Sequence, residues 1–407
     1  MKHLYISLFV VFIAAGATAQ TIITDTVSLG AGYANQVWYS LLNDNQGSAP
    51  KNNWDLAFDC TAYGTAIHIN SVTGTQLWLY PSGDTAAWAN VDTTGITGWI
   101  PRYNSDTSWV NGALNLFPAS AFDIGWGIYN PVTHIVTGDS LFIIKLSDGS
   151  YRKLWIQQLG SGIYTVRAAS LNNSNDVVFS IDKLPYSAKN FVYYSLQTNA
   201  IVDREPSSAN WDLLFTQYTT FIPTPYTVAG VLHNYGTTSA ELHQVDVTTA
   251  SHGSAVFGTA INGIGYDWKQ FAQTGWVIED SLVYFVQTQS GDIWKLVFTG
   301  FGGSANGNFI FTKELVSATA VDENQQMQPV SSLWPNPAHN QFTLMLGAAT
   351  ENVEVEIFDQ TGRIVDSVKS DVFAQLMQFE TENWTPGLYH VRIVSNNSVE
   401  TLRIIIN

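Results

Sequence analysis

Gly138-Asp139-Ser140-Leu141 sets a serine beside a carboxylate at the start of an apolar run, a setting in which a hydroxyl can act as a nucleophile. Activation needs a strand before the serine, a helix after it, and a histidine held by a carboxylate further on. Here a strand-like run follows instead, and no Asp-x-x-His occurs downstream. A turn before a strand accounts for the segment. Asp55 and Asp212, each preceded by tryptophan, suggest the acid and base of a glycoside hydrolase. They occupy the same place in two copies of a repeat, so a shared site is not expected, and an Asp at a strand start bonds nearby backbone. Asn43, Asp44, Asn45 and Gly47 have the donors of a calcium loop but lack the glutamate at its twelfth position. No zinc-type His-Glu-x-x-His, phosphate loop or dinucleotide glycine pattern is present. No catalytic residue and no metal site are expected, and the chain reads as a non-enzyme.

Histidine remains as a chemical resource, because a neutral imidazole is a good axial ligand for iron. His68 lies in Ala66-Ile67-His68-Ile69-Asn70 and His233 in Val231-Leu232-His233-Asn234, opposite one another when the two copies are aligned. His134 accompanies the first, His243 and His252 the second. Trp78, Trp88, Trp99, Trp109 and Trp126 form a second resource; exposed, they would stack on rings, whereas buried they fill a core, which is the expectation.

The elements that would position these residues are strands. Of 407 residues, 45% are hydrophobic and 13% aromatic, and only 12% are charged, so the chain can bury large cores. Lys and Arg number 17 against 33 Asp and Glu, a net charge of −16 that repels phosphate backbones, so nucleic acid is excluded as a partner. Cys60 is the single cysteine, read as a small buried hydrophobe. Lys2, the apolar run from Leu4 to Ala15, and Ala17-Thr18-Ala19 read as a secretory signal over residues 1–19. No cysteine follows it to carry a lipid, and no later run is long enough to cross a bilayer.

The middle of the chain repeats itself. Val37-Trp38-Tyr39-Ser40-Leu41, Pro50 and Trp54-Asp55-Leu56-Ala57-Phe58 return as Val192-Tyr193-Tyr194-Ser195-Leu196, Pro206 and Trp211-Asp212-Leu213-Leu214-Phe215. Ile124-Gly125-Trp126, Asp139-Ser140-Leu141-Phe142 and Lys153-Leu154 match Ile264-Gly265-Tyr266, Asp280-Ser281-Leu282-Val283 and Lys295-Leu296. Ser147-Asp148-Gly149-Ser150 and Ser290-Gly291 mark a hairpin in each copy. Two β-rich domains, 20–185 and 186–318, are expected, followed by a polar linker at 319–330 and a last domain at 331–407. In the last, Val353, Val355 and Ile357 alternate with Glu354 and Glu356, and Asn396-Asn397 would turn its final hairpin.

Two resemblances add to this reading. Leu333-Trp334-Pro335-Asn336-Pro337, Asp359-Gln360-Thr361-Gly362 and Pro386-Gly387-Leu388-Tyr389 stand in the order found in type IX secretion sorting domains, which resemble immunoglobulin sandwiches. That resemblance implies export to the surface or the medium, with the type IX machinery as partner through residues 331–407. Ile264-Gly265-Tyr266-Asp267-Trp268-Lys269 and Lys295-Leu296-Val297-Phe298-Thr299-Gly300-Phe301 look like the HmuY-like family, whose named members bind haem. The expected fold class is all-β: two HmuY-like domains and a sorting sandwich. The resemblance implies capture of a small ligand or surface component, with a glycan hydrolase and an adhesin or spacer as alternatives. Neither haem-ligand motif of the namesake can be placed, so no cofactor is expected. Were haem bound, His68 would pair with His134 and His233 with His243 or His252.

Overall fold

In the computed structural model the chain is described over residues 21–273, 275–318, 331–350, 353–370, 374–395 and 398–407. The expected signal, the linker and the Asn396-Asn397 turn lie outside them. Among the described residues the architecture is nearly all β, without a long helix. Residues 1–319 and 320–407 are separate compact units. Among the described residues no helix is long and apolar enough to cross a membrane.

The first unit contains two lobes, each with two facing sheets. In the first lobe, Ala200–Val202, Phe191–Ser195, Leu56–Asp59 and Ile67–Ile69 form a four-stranded sheet. It faces an eight-stranded sheet whose central hairpin, Phe142–Lys145 with Tyr151–Gly160, turns at the expected Asp148-Gly149. Gly149 has φ +84°, and the Asp148 carboxylate accepts the Ser150 N–H at 2.8 Å. In the second lobe, Pro225–His233, Leu213–Phe221, Asn35–Ser40 and Asp44–Pro50 form a four-stranded sheet. Its partner has five strands, ordered Ile23–Ser28, Asn308–Ser317, Ile293–Phe301, Val283–Gln287 and Thr238–Leu242.

The sheets do not follow the expected division at residue 185. The opening strand of each copy pairs with the Trp-Asp strand of the other: Val37 lies opposite Phe215 and Tyr39 opposite Leu213, while Val192 lies opposite Phe58 and Tyr194 opposite Leu56. The first lobe is therefore built from residues 54–202, and the second from 21–50 joined to 211–318. The hairpin that links Ile163–Ser170 to Val177–Asp182 in the first lobe has an open counterpart in the second. There Ile23–Ser28 adds to Asn308–Ser317, with Ile23 opposite Lys313, so the first described strand of the unit closes onto its last.

Alternation explains why the opening strands carry large apolar side chains on both faces. Val37, Tyr39 and Leu41 enter the core of the second lobe, whereas Trp38 points to the opposite face. Val192, Tyr194 and Leu196 enter the core of the first lobe, with Phe191 and Tyr193 on the opposite face. Of the five weighed tryptophans, Trp126 is fully buried in the first core, while Trp78 and Trp88 fill a satellite cluster with Trp99 against it. Trp268 is buried too, with the Lys269 Nζ over its ring at 4.1 Å and donating to the Ala229 and Tyr266 carbonyls. Cys60 is buried as expected, its thiol pushed up to about 12 by desolvation.

In the second unit a three-stranded sheet (Ser332–Trp334, Gln341–Thr350, Ala374–Glu380) and a four-stranded sheet (Ile364–Ser370, Val353–Phe358, Gly387–Ser395, Ser398–Ile406) share one core. Val353, Val355 and Ile357 are buried and their glutamate neighbours are not.

The interleaving gives a direct test. Residues 186–318 alone lack the strands that complete the second lobe and should show no cooperative unfolding. Appending residues 21–50 after 318 through a short linker should restore it, because Ile23 already lies beside Lys313. Equal cooperativity of both polypeptides in urea, followed by tryptophan fluorescence, would contradict the strand assignment.

Candidate functional site

The outer faces of the two four-stranded sheets look toward each other. Trp38, Trp211, Leu214, Tyr218 and Leu232 come from one, Trp54, Ala57, Phe191 and Tyr193 from the other, and Trp109 touches both groups. They enclose a cavity with about 800 Å³ of space, its open mouth included. Each Trp-Asp motif thus has two functions. The tryptophan lines the cavity, and the aspartate fastens the strand of the other copy: Asp55 Oδ2 accepts the Leu196 N–H and Asp212 Oδ2 the Leu41 N–H, both at 2.8 Å. The aspartates bond backbone far away in sequence, not nearby as expected.

Asn70 and Asn234 act alike, their Nδ2 groups donating to the carbonyls of Trp54 and Trp211 at 2.9 and 2.7 Å. This pairing fixes the true alignment of the copies. Leu56 lies opposite Ile69, and Leu213 opposite His233. His233 therefore corresponds to Ile69 and His68 to Leu232, one residue away from the expected match. A one-residue slip exchanges the faces of a strand. His68 lines the cavity; His233 does not.

The other candidates lie apart from it. His68 Nε2 donates to the Trp109 carbonyl at 2.7 Å, and burial holds its imidazole down to about 4. The Trp109 indole donates to the His233 carbonyl at 2.9 Å, so that tryptophan joins the two segments. His233 is itself buried, with Nε2 unpartnered. His134 sits in a hairpin turn, bonded to the Tyr129 hydroxyl, and the exposed His243 faces Glu241. Ser140 is bonded to its neighbour Asp139. Asp44 of the calcium-like segment is engaged by Lys313 and Tyr39. Among the described residues no group of three or more His, Cys, Asp or Glu could hold a metal ion.

Sequence reasoning missed the polar lining. Trp54, Trp211, Tyr218, Gln36 and Asn70 line the cavity, and their Nε1, Nε1, Oη, Oε1 and Oδ1 atoms have no hydrogen-bond partner in the protein. Each is at least nine-tenths buried, with Trp54 9% and Trp211 2% exposed. Buried polar groups are normally paired, so five in one cavity mark a place that water or a ligand completes. Glu205 also lines it, accepting from the Asn190 N–H and the Tyr193 hydroxyl at 3.0 Å, while burial pushes its carboxyl up to about 7. Beside it the Arg204 guanidinium stands over the rings of Trp38, Trp54 and Tyr193 and donates to the Ala49 and Pro50 carbonyls, clamping one lobe to the other. Its desolvation lowers it to about 10. The aromatic repeat motifs carried a signal for Trp54 and Trp211. None marked Gln36, Asn70 or Glu205.

In the second unit the motifs are also structural. Asn336 brackets the last strand, its Oδ1 accepting the Ile405 N–H and its Nδ2 donating to the Arg403 carbonyl, both at 3.0 Å. Asp359 accepts from Thr361 and Arg363 around Gly362 (φ +79°), and the Tyr389 hydroxyl donates to the Thr385 carbonyl at 2.7 Å. Residues 332–407 match the secretion system C-terminal sorting domain family. This type IX tail implies export to the cell surface or the extracellular space, and interaction with the type IX machinery. No family match supports the HmuY-like resemblance of the repeats. No curated protein matches this chain.

The buried acid makes stability pH-dependent. Glu205 rises from 4.5 to about 7, so the folded state holds its proton more tightly, and stability falls as pH rises across that window. His68, depressed from 6.5 to about 4, gives the opposite slope below 6.5. Glu205→Gln should remove the falling limb alone. Its stability relative to the native chain, measured by urea melts, should climb by roughly 2–3 kcal/mol between pH 4.5 and 7.5. A flat difference would show that Glu205 is not the controlling group.

Proposed function

We propose that the chain is an exported, non-enzymatic binding protein whose ligand enters the cavity between the two lobes. The observation that carries this reading is the set of five unpartnered buried polar atoms within aromatic walls. The ligand is small, uncharged and able both to stack and to hydrogen-bond, because the lining contains no Lys or Arg and His68 is held neutral. An N-terminal signal over residues 1–19 and the sorting tail together route it through the periplasm to the surface or the medium. Haem is not part of the reading, since His68 and His233 are confined among other groups and His134 and His243 lie outside the cavity.

One observation favours a second reading. Asp106 and Glu205 line the same cavity, as the two carboxylates of a glycan hydrolase would. Glu205 has donors on both oxygens and Asp106 accepts from the Thr220 hydroxyl at 2.5 Å, which suits structural acceptors better than proton-transfer groups.

A thermal-shift screen of neutral small molecules against the full chain tests the binding reading. A binder at a hundred times its Kd adds about 2.7 kcal/mol of stability, and Trp211→Phe, which removes the five-membered ring of the indole with its N–H and leaves a phenyl ring, should erase most of that gain. Binders insensitive to every cavity substitution would sink the proposal. Turnover lost in Glu205→Gln would instead favour the hydrolase. Separately, deleting residues 331–407 should leave the protein in the periplasm, as read by fractionation; undiminished surface or medium levels would refute the routing.

A further inference from the structure

We infer that the ligand is a neutral oligosaccharide, with one sugar ring in the cavity and the next in an adjoining hydroxyl-lined pocket. This rests on the reading of the cavity as the binding site. Three observations carry it. The residues lining the cavity bring aromatic rings from both lobes together with unpartnered donors (Trp54 Nε1, Trp211 Nε1) and acceptors (Gln36 Oε1, Asn70 Oδ1). A sugar hydroxyl both donates and accepts, and the C–H faces of the ring lie against indoles, so one ring satisfies both kinds of wall. A purely apolar molecule would leave the polar atoms unpaired, and an anion would meet Glu205 and Asp106 with no cation in the lining.

The second observation is the adjoining pocket, with about 410 Å³ of space, open mouth included. Ser71 and Thr219 line both pockets and are bonded to each other through their hydroxyls at 2.7 Å. Thr75, Gln76 and Thr227 continue the polar lining, which holds no charged side chain. The third is Tyr226, which is 62% exposed at that pocket although it belongs to a paired strand, and so presents a free ring at its edge. Tyr103 lines the same pocket. A chain of neutral sugars would thus run from the buried aromatic cavity across the Ser71–Thr219 pair to the tyrosines.

Isothermal titration of the full chain with glucose, galactose, mannose, xylose and N-acetylglucosamine, and with the di- and tetrasaccharides of each, tests this. At least one series should bind, its disaccharide roughly tenfold tighter than its monosaccharide. Tyr226→Ala should bring the disaccharide down to the monosaccharide level without altering the latter, whereas Trp211→Phe should weaken both. Tyr226 is exposed, so its removal leaves the fold intact, which an unchanged melting temperature would verify. If no sugar binds but indole, a neutral planar probe, binds and loses affinity in Trp211→Phe, the oligosaccharide inference fails and the cavity reading stands. If neither sugars nor indole bind, both fail. Disaccharide binding indifferent to Tyr226→Ala overturns the second subsite.

Discussion

Two short hydrogen bonds govern the first unit: Asp55 to the Leu196 amide and Asp212 to the Leu41 amide. Each is the carboxylate of one copy receiving the backbone of the other, at the end of a strand that the other copy lends. Buried carboxylates need donors, and an amide at the end of a lent strand needs an acceptor. The two needs are met together only when the copies interleave. Asp55 is buried and Asp212 partly so, and breaking either bond would take from a desolvated carboxylate the backbone donor that the other copy supplies. The repeated Trp-Asp pair is therefore first a fastening.

The cavity follows from that fastening. Lending the opening strands places Trp38 among residues of the second lobe and Tyr193 among those of the first, with their outer faces turned toward one another. Two faces rich in tryptophan cannot close completely over Gln36, Asn70 and Thr216, and polar atoms remain between them. The copies have also diverged there. Arg204 and Glu205 have no charged counterpart in the first copy's Gly47-Ser48-Ala49-Pro50. Arg204 ties the lobes by stacking and by bonding carbonyls, and Glu205 brings to one side a carboxyl that burial pushes up to about 7. The matching strands of the two copies made the cavity, and their divergence set Arg204 and Glu205 beside it.

The sorting unit is organised on the opposite principle, with local turns and a pinned last strand. Asn336, from the Trp-Pro-Asn-Pro segment, holds the backbone of residues 403–405, so the first and third motifs of this domain act on the same pair of strands. Its signatures are legible because each has a local cause: Gly362 supplies a positive φ, Asp359 caps its own turn, and Val353, Val355 and Ile357 alternate against one core.

The sequence by itself determined the all-β class, the hairpin at Asp148-Gly149, the duplication, the burial of Cys60 and Trp126, and the sorting tail, since turn chemistry and period-two alternation are local properties. Only the tertiary structure decided which strand each apolar run would join. Val37 to Leu41 reads the same whether it pairs within its own copy or with Leu213–Phe221, because the partner of a backbone hydrogen bond is not written in the side chains beside it. Nor could alignment of histidines show that His68 faces the cavity and His233 does not, as one residue of register reverses every face. The cavity arose at that level: Gln36, Asn70, Trp211 and Glu205 lie far apart along the chain and meet because two interleaved sheets turn their outer faces to each other.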